Sequence, residues 1–211
     1  MKVVEGFCYS VCADLCEQIH VMASMSNSSK QSPAESLGMA FSGWGLSWGG
    51  WLDNRQGEWW LLAQIILIAA HLLPPWPSLE RWGYRWPLPI TIFGACLFCV
   101  GVLLVVQAFW RLGASLSPLP DPKPAAALVT MGAYRRCRHP LYQALLLCSA
   151  GVAVALGSLL HVALFLALCL LLRGKARREE RKLIILHPEY SAYRASTAAI
   201  IPGFPLLDWR S

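Results

Sequence analysis

The sequence predicts an all-α fold: a polytopic integral membrane helical bundle of about four transmembrane helices, with a cytosolic helical extension at its C-terminal end. Three observations carry that prediction. The 211 residues are 56% hydrophobic and only 14% charged, against about 25% charged in ordinary soluble domains. The apolar residues also come in blocks that a globular core would not need. Lysine and arginine gather at one set of block ends, the signature of a fixed membrane topology.

Two regions are expected, a leader over residues 1–50 and a membrane domain over residues 51–211. The leader mixes a Ser-rich stretch, "MASMSNSSKQS", with "SGWGLSWGGW", and is expected to be weakly ordered or interfacial. Met22, Met25 and Met39 are candidate alternative starts. The opening "MKVVEGFCYSVCADLCEQIH" lacks the apolar core and small-residue cleavage site of a secretory signal, which places the amino terminus in the cytosol. Cys8, Cys12, Cys16 and His20 recur every four residues. A straight helix spreads them over roughly 18 Å at about 1.5 Å per residue, whereas zinc holds each ligand within about 2.3 Å, so no metal site is predicted.

Residues 59–73, "WWLLAQIILIAAHLL", form the first expected span, with Trp59, Trp60 and Trp76 as interfacial anchors. Residues 89–110 form the second, which as a helix rises roughly 33 Å at about 1.5 Å per residue and covers the hydrocarbon. Alternating prolines from Pro118 to Pro124 then favour a stiff, extended connector. Residues 140–157 and 158–172 read as a helical hairpin broken at "GS". His71 and His161 lie inside apolar segments, where helix–helix hydrogen bonds are their expected use. Cys96, Cys99, Cys148 and Cys169 read as small hydrophobes.

Between the first two spans stand only Arg81 and Arg85, whereas the next connection holds Arg111, Lys123, Arg135, Arg136 and Arg138. Past the fourth span come Arg173, Lys175, Arg177, Arg178, Arg181 and Lys182. Both termini and the proline-rich connector are therefore expected in the cytosol. This asymmetry accounts for the net charge of +6 without nucleic acid, for which no recognition module is present.

In "GAYRRCRHPLYQALLL", Pro140 suits the first helical position and makes His139 the N-cap, with Tyr142 in the first turn. A helix amino terminus beside three arginines attracts a carboxylate or phosphate. Membrane anchoring alone explains "RRCR" but not His139 and Tyr142. If the last apolar helix continues through Arg173, Glu179 and Glu180 reach the same depth as this corner. Two glutamates in a basic run are ordinarily a solvated face, with Glu179 pairing to Lys175 or Lys182. Joined to the cationic corner, they complete a set suited to a zwitterionic, aromatic-bearing ligand such as S-adenosylmethionine, with Tyr134, Tyr142, Tyr190 and Tyr193 as stacking surfaces.

"LVTMGAYRRCRHPLY", followed by "EERKLIILHPEYSAY" and "IIPGF", resembles the isoprenylcysteine carboxyl methyltransferase family and its phospholipid methyltransferase relatives over residues 88–205. The resemblance implies a helical membrane enzyme that methylates a lipophilic or lipidated substrate from S-adenosylmethionine. By motif position it assigns cofactor binding to Tyr134, Arg138, His139, Pro140, Tyr142, Glu179 and Glu180, with Arg138, Tyr142 and Glu180 nearest the chemistry. Leu183, Tyr190, Tyr193 and Pro202 match the positions that follow. Ala133 and Ala144 depart from the proline and glycine common in the family.

Carboxyl O-methylation is the leading expectation, because a carboxylate acceptor needs no general base and no base is evident. Phospholipid N-methylation, thiol S-methylation and a non-enzymatic lipid-binding scaffold are the alternatives. Membrane lipids are expected partners, and no obligate protein partner is inferred.

Overall fold

The computed structural model describes residues 54, 57–77, 83–112, 128–201 and 203–209, all within the unit Met39–Ser211. The expected leader, the Cys8 to His20 stripe, the Pro118 to Pro124 connector and Pro202 lie outside the described residues. Among the described residues all regular structure is helical. Helices α1 (Glu58–Ala70), α2 (Leu88–Leu112), α3 (Pro140–Leu156) and α4 (Leu159–Leu186) are followed by short α5 (Tyr190–Ser196) and α6 (Pro205–Asp208). A single 3-10 turn, Gly132–Arg135, precedes α3.

Leu88–Ala108 and Leu159–Leu186 are long and apolar enough to cross a membrane, while α1 and α3 are shorter apolar helices. Both α1 and α2 turn large side chains such as Ile65, Ile66, Phe93 and Leu103 outward, as lipid-facing helices do. Helix α2 packs most extensively on α3. That contact is made by small residues: a Cβ on Gly94 would lie 2.3 Å from the backbone nitrogen of Ala155, and one on Gly151 would lie 2.5 Å from that of Phe98. Such close backbone approach suits helices in lipid, where packing rather than the hydrophobic effect drives association.

The break between α3 and α4 falls where the sequence places it. Gly157 adopts φ +57, a conformation that favours glycine, and the Trp86 ring packs against it. Ser158 opens α4, and its Oγ accepts from the Trp76 backbone nitrogen at 3.0 Å and donates to the Trp76 carbonyl at 3.1 Å. His71 Nε2 pairs with Ser149 Oγ at 2.6 Å, and His161 Nε2 with the His71 carbonyl at 3.3 Å, so both histidines join helices as expected. Trp59 is exposed, whereas the Trp60 ring packs against Gly174 of α4, where a Cβ would lie 2.5 Å away.

Helix α4 continues without interruption past the apolar run and through the basic one to Leu186. From Leu159 to Glu179 it rises roughly 30 Å at about 1.5 Å per residue, close to the thickness of the hydrocarbon core. The glutamate pair therefore stands about one hydrocarbon thickness from the α3–α4 turn, beside the N-terminus of antiparallel α3.

Candidate functional site

Three chain segments converge where α3 begins. The first is the loop from the 3-10 turn to Pro140, which occupies the start of α3 with His139 as N-cap. The His139 side chain makes no capping bond and is turned instead toward α4. The second is the α4 turn carrying Lys175, Glu179 and Glu180. The third is the buried segment from Thr197 to Ile200. Backbone N–H groups of Arg138 and His139 donate to the Ala198 and Ala199 carbonyls at 3.0 and 3.1 Å, while Ala199 and Ile200 donate to Asp208 and Leu207 at 3.0 Å each. The carboxy-terminal turn thus closes over the corner.

Glu180 is the centre of the cluster. Its Oε1 accepts from Arg138 Nε at 2.8 Å and lies 2.8 Å from His139 Nε2, while its Oε2 lies 3.3 Å from Arg194 Nε without hydrogen-bond alignment. Its side chain is 5% exposed, so the solvated-face reading of this glutamate is overturned. Glu179 faces outward, with a side chain 28% exposed, and accepts the Tyr142 hydroxyl at 3.0 Å. The Tyr142 and His139 rings stack with centroids 5.1 Å apart, which fixes both between the two carboxylates.

Arg138 differs from its expected place. Its side chain is fully buried and committed to protein groups: Nε to Glu180, Nη1 to the carbonyls of Thr197 and, at 3.1 Å, Arg194, and Nη2 to that of Trp209 at 3.5 Å. It ties α4 to the carboxy-terminal segment rather than presenting a charge outward. Arg194, with a side chain 34% exposed, is the guanidinium at the edge of the cluster.

The tyrosines are held as neutral phenols. Tyr193 donates to the Tyr134 carbonyl. Burial, and secondarily Glu179, pushes the Tyr134 hydroxyl upward, while burial first and then Cys137 pushes Tyr193 up to about 12. Tyr190 is raised by burial and then by Glu180. Burial also pushes the Cys137 thiol up to about 12, and its Sγ donates to the Ala199 carbonyl at 2.8 Å. That thiol is a packing group rather than a nucleophile.

Every described residue assigned to the site falls in this one cluster: Tyr134, Arg138, His139, Pro140, Tyr142, Glu179 and Glu180. Three contributors escape sequence reasoning. Arg194 and Trp209 reach it only through tertiary folding, and no local pattern marks them. Lys175 could have been found, since His161, Leu168, Leu172 and Lys175 recur at helical spacing along the buried face of α4. Among the described residues no group of three or more His, Cys, Asp or Glu could hold a metal ion.

Comparison with known proteins sets this cluster in context. The phospholipid methyltransferase family model matches residues 89–186. The cobalt-zinc-cadmium resistance protein CzcN of Cupriavidus metallidurans is 34% identical over 74% of this chain and 69% of its own length. The nickel-cobalt-cadmium resistance protein NccN of Alcaligenes xylosoxydans is 30% identical over 72% of this chain and 67% of its own length. In fold, the chain is similar to the eukaryotic intramembrane Ras methyltransferase ICMT (isoprenylcysteine carboxyl methyltransferase), with a TM-score of 0.53 at 21% identity over 67% of this chain. The chain spans about half the length of that solved structure.

Proposed function

Since this chain belongs to the phospholipid methyltransferase family, we propose that it is an integral membrane methyltransferase with cytosolic termini that uses S-adenosylmethionine to methylate a lipophilic or lipidated acceptor drawn from the bilayer. The supporting observation is the closure of two motifs, far apart in sequence, into one site, with His139 Nε2 2.8 Å from Glu180 Oε1.

The donor set fits a zwitterionic cofactor. A partly exposed carboxylate, Glu179, and a partly exposed guanidinium, Arg194, stand at the edge of a buried polar hub. Glu179 takes the ammonium or ribose hydroxyls, and Arg194 with the α3 amino terminus takes the carboxylate. Tyr134, only partly buried, offers a ring surface and Tyr142 lines the reactive end, whereas Tyr190 is 2% exposed and packs against Tyr193, so it is closed to the stacking role expected of it. Glu180 and Arg138 act through the others by fixing the corner, so Arg138 is a positioning residue in this reading. The cofactor supplies a methyl group on a sulfonium, already a good leaving group, and the protein's work is alignment and exclusion of water.

Carboxyl O-methylation remains the leading chemistry, because a carboxylate acceptor needs no general base and the basic groups beside Tyr142 are already engaged, His139 with Glu180 and Glu179 with the Tyr142 hydroxyl. Phospholipid N-methylation and thiol S-methylation are the alternatives within the same site. A lipid-gripping scaffold would need only exposed positive charge, which Arg135 and Arg136 supply. It gives no reason to bury Arg138, His139 and Glu180 together.

Calorimetric titration of the purified protein in detergent tests the cofactor. The wild type binds S-adenosylmethionine and S-adenosylhomocysteine at micromolar concentration, and Glu179→Gln weakens both by about tenfold, one charge-assisted hydrogen bond, without moving the melting midpoint. Absence of binding in a folded, monodisperse wild type refutes the reading.

A further inference from the structure

The backbone of Trp209 is left-handed, at φ 48 and ψ 23, a conformation that favours glycine and that a bulky residue rarely adopts. The residue is nonetheless 3% exposed, and its side chain joins the buried cluster that includes Tyr142, Leu172, Ala176 and Ile200. Its ring lies 6.5 Å from that of His139, centroid to centroid, at an angle of 47°. Its carbonyl accepts from Arg138 Nη2 at 3.5 Å. The turn that delivers it is tied down: the Asp208 and Leu207 carbonyls accept from the Ala199 and Ile200 backbone nitrogens at 3.0 Å each, and Asp208 Oδ2 accepts from the Gly203 nitrogen at 3.0 Å. Trp209 lies beyond residues 89–186, the part of the chain matched by the family model.

Core filling accounts for the buried indole but not for the backbone. An apolar side chain on ordinary backbone fills space without strain. A bulky residue keeps a left-handed backbone only where its surroundings over-determine it, and such residues gather at functional sites. Here the surroundings are the two residues that hold Glu180. Arg138 Nε and His139 Nε2 each lie 2.8 Å from Glu180 Oε1. Trp209 meets the first through its carbonyl and the second through its ring. The His139 ring, already stacked on Tyr142 at 5.1 Å, is thereby bounded by two aromatic side chains, and such contacts fix ring geometry and stabilise beyond the area they bury. Because the Trp209 side chain is enclosed, its influence on a bound cofactor passes through Arg138 and His139.

We infer that Trp209 is a positioning residue of the cofactor site, whose ring and carbonyl hold His139 and Arg138 in register with Glu180. This inference rests on the methyltransferase reading and extends its site beyond the two sequence motifs. Trp209 acts through its neighbours and takes no part in methyl transfer itself.

The test uses the full chain in non-ionic detergent, titrated calorimetrically with S-adenosylhomocysteine well below the melting midpoint of every variant. Under that condition a protein that has lost only packing is still almost wholly folded and binds as the wild type does. Trp209→Leu is expected to bind about tenfold more weakly, the loss of one aromatic contact, and Trp209→Phe to bind within about threefold of the wild type, although both lower the melting midpoint. Trp209→Leu binding as tightly as the wild type, or Trp209→Phe binding as weakly as Trp209→Leu, overturns the inference while intact wild-type binding keeps the methyltransferase reading. If Trp209→Leu does not fold, hydrogen exchange on the wild type decides. S-adenosylhomocysteine is expected to slow exchange of the Leu207 and Asp208 amides, which donate to the Phe204 carbonyl within the turn that carries Trp209, together with those of Arg138 and His139. Exchange at Leu207 and Asp208 that is unchanged while the ligand binds overturns the inference. Absence of S-adenosylhomocysteine binding by the folded wild type overturns the methyltransferase reading, and this inference with it.

Discussion

Glu180→Gln abolishes S-adenosylmethionine binding and lowers the melting midpoint together, unlike Glu179→Gln, which costs affinity alone. The reason is the different burial of two adjacent carboxylates. Glu180 lies 2.8 Å from both Arg138 Nε and His139 Nε2 and 3.3 Å from Arg194 Nε, with a side chain 5% exposed. Neutralising it leaves a buried guanidinium without its counter-ion, a change that costs about 3–5 kcal/mol when one member of a buried pair is removed. The same loss frees His139 and Arg194 to move, so affinity falls by at least about a hundredfold, or roughly 2.7 kcal/mol. Detergent melting curves and calorimetry on both variants measure the two effects. A Glu180→Gln protein that melts and binds as the wild type does would show that the hub is not what organises the site.

Arg138→Lys gives the second large effect, at least about a tenfold loss of cofactor affinity, equivalent to roughly 1.4 kcal/mol. Lysine keeps the charge but loses the planar fork. In this structure the fork spans Glu180 and the carbonyls of Arg194, Thr197 and Trp209, a set that one ammonium cannot reach together. The double variant Arg135→Lys, Arg136→Lys binds cofactor within about twofold of the wild type, because both side chains are exposed and headgroup attraction is mostly charge. If Arg138→Lys were as harmless as the double variant, charge alone would explain the basic corner.

Much of the fold and most of the site could be read in the chain itself, for identifiable reasons. Long apolar runs, a glycine at the α3–α4 turn and a proline after His139 are local signals. They place α2, α3 and the start of α4 to within a few residues, whereas α4 runs on from the expected residue 172 to Leu186. The membership of Tyr134, Arg138, His139, Tyr142, Glu179 and Glu180 in one site follows from two motifs at matching membrane depth. What is not local was not legible. Nothing near Glu179 and Glu180 tells which carboxylate is buried; that depends on Arg138 and His139, some forty residues away. Arg138 read as a cofactor clamp because its partners include backbone carbonyls of residues 194, 197 and 209, which no side-chain pattern announces. The packing of the Trp60 ring on Gly174 was not legible either, because the two residues are distant in the chain.

The proposed reaction is methyl transfer at this cluster to a lipid-phase acceptor. Its most direct test is incubation of membranes containing the full chain with S-adenosylmethionine labelled in the methyl group, followed by extraction into organic solvent, with Glu179→Gln as the folded control. Label is expected in the organic extract of the wild type, strongly reduced in the control, and released as methanol by alkali if the acceptor is a carboxylate. Wild-type protein that binds the cofactor yet leaves the extract no more labelled than membranes without it would contradict the account.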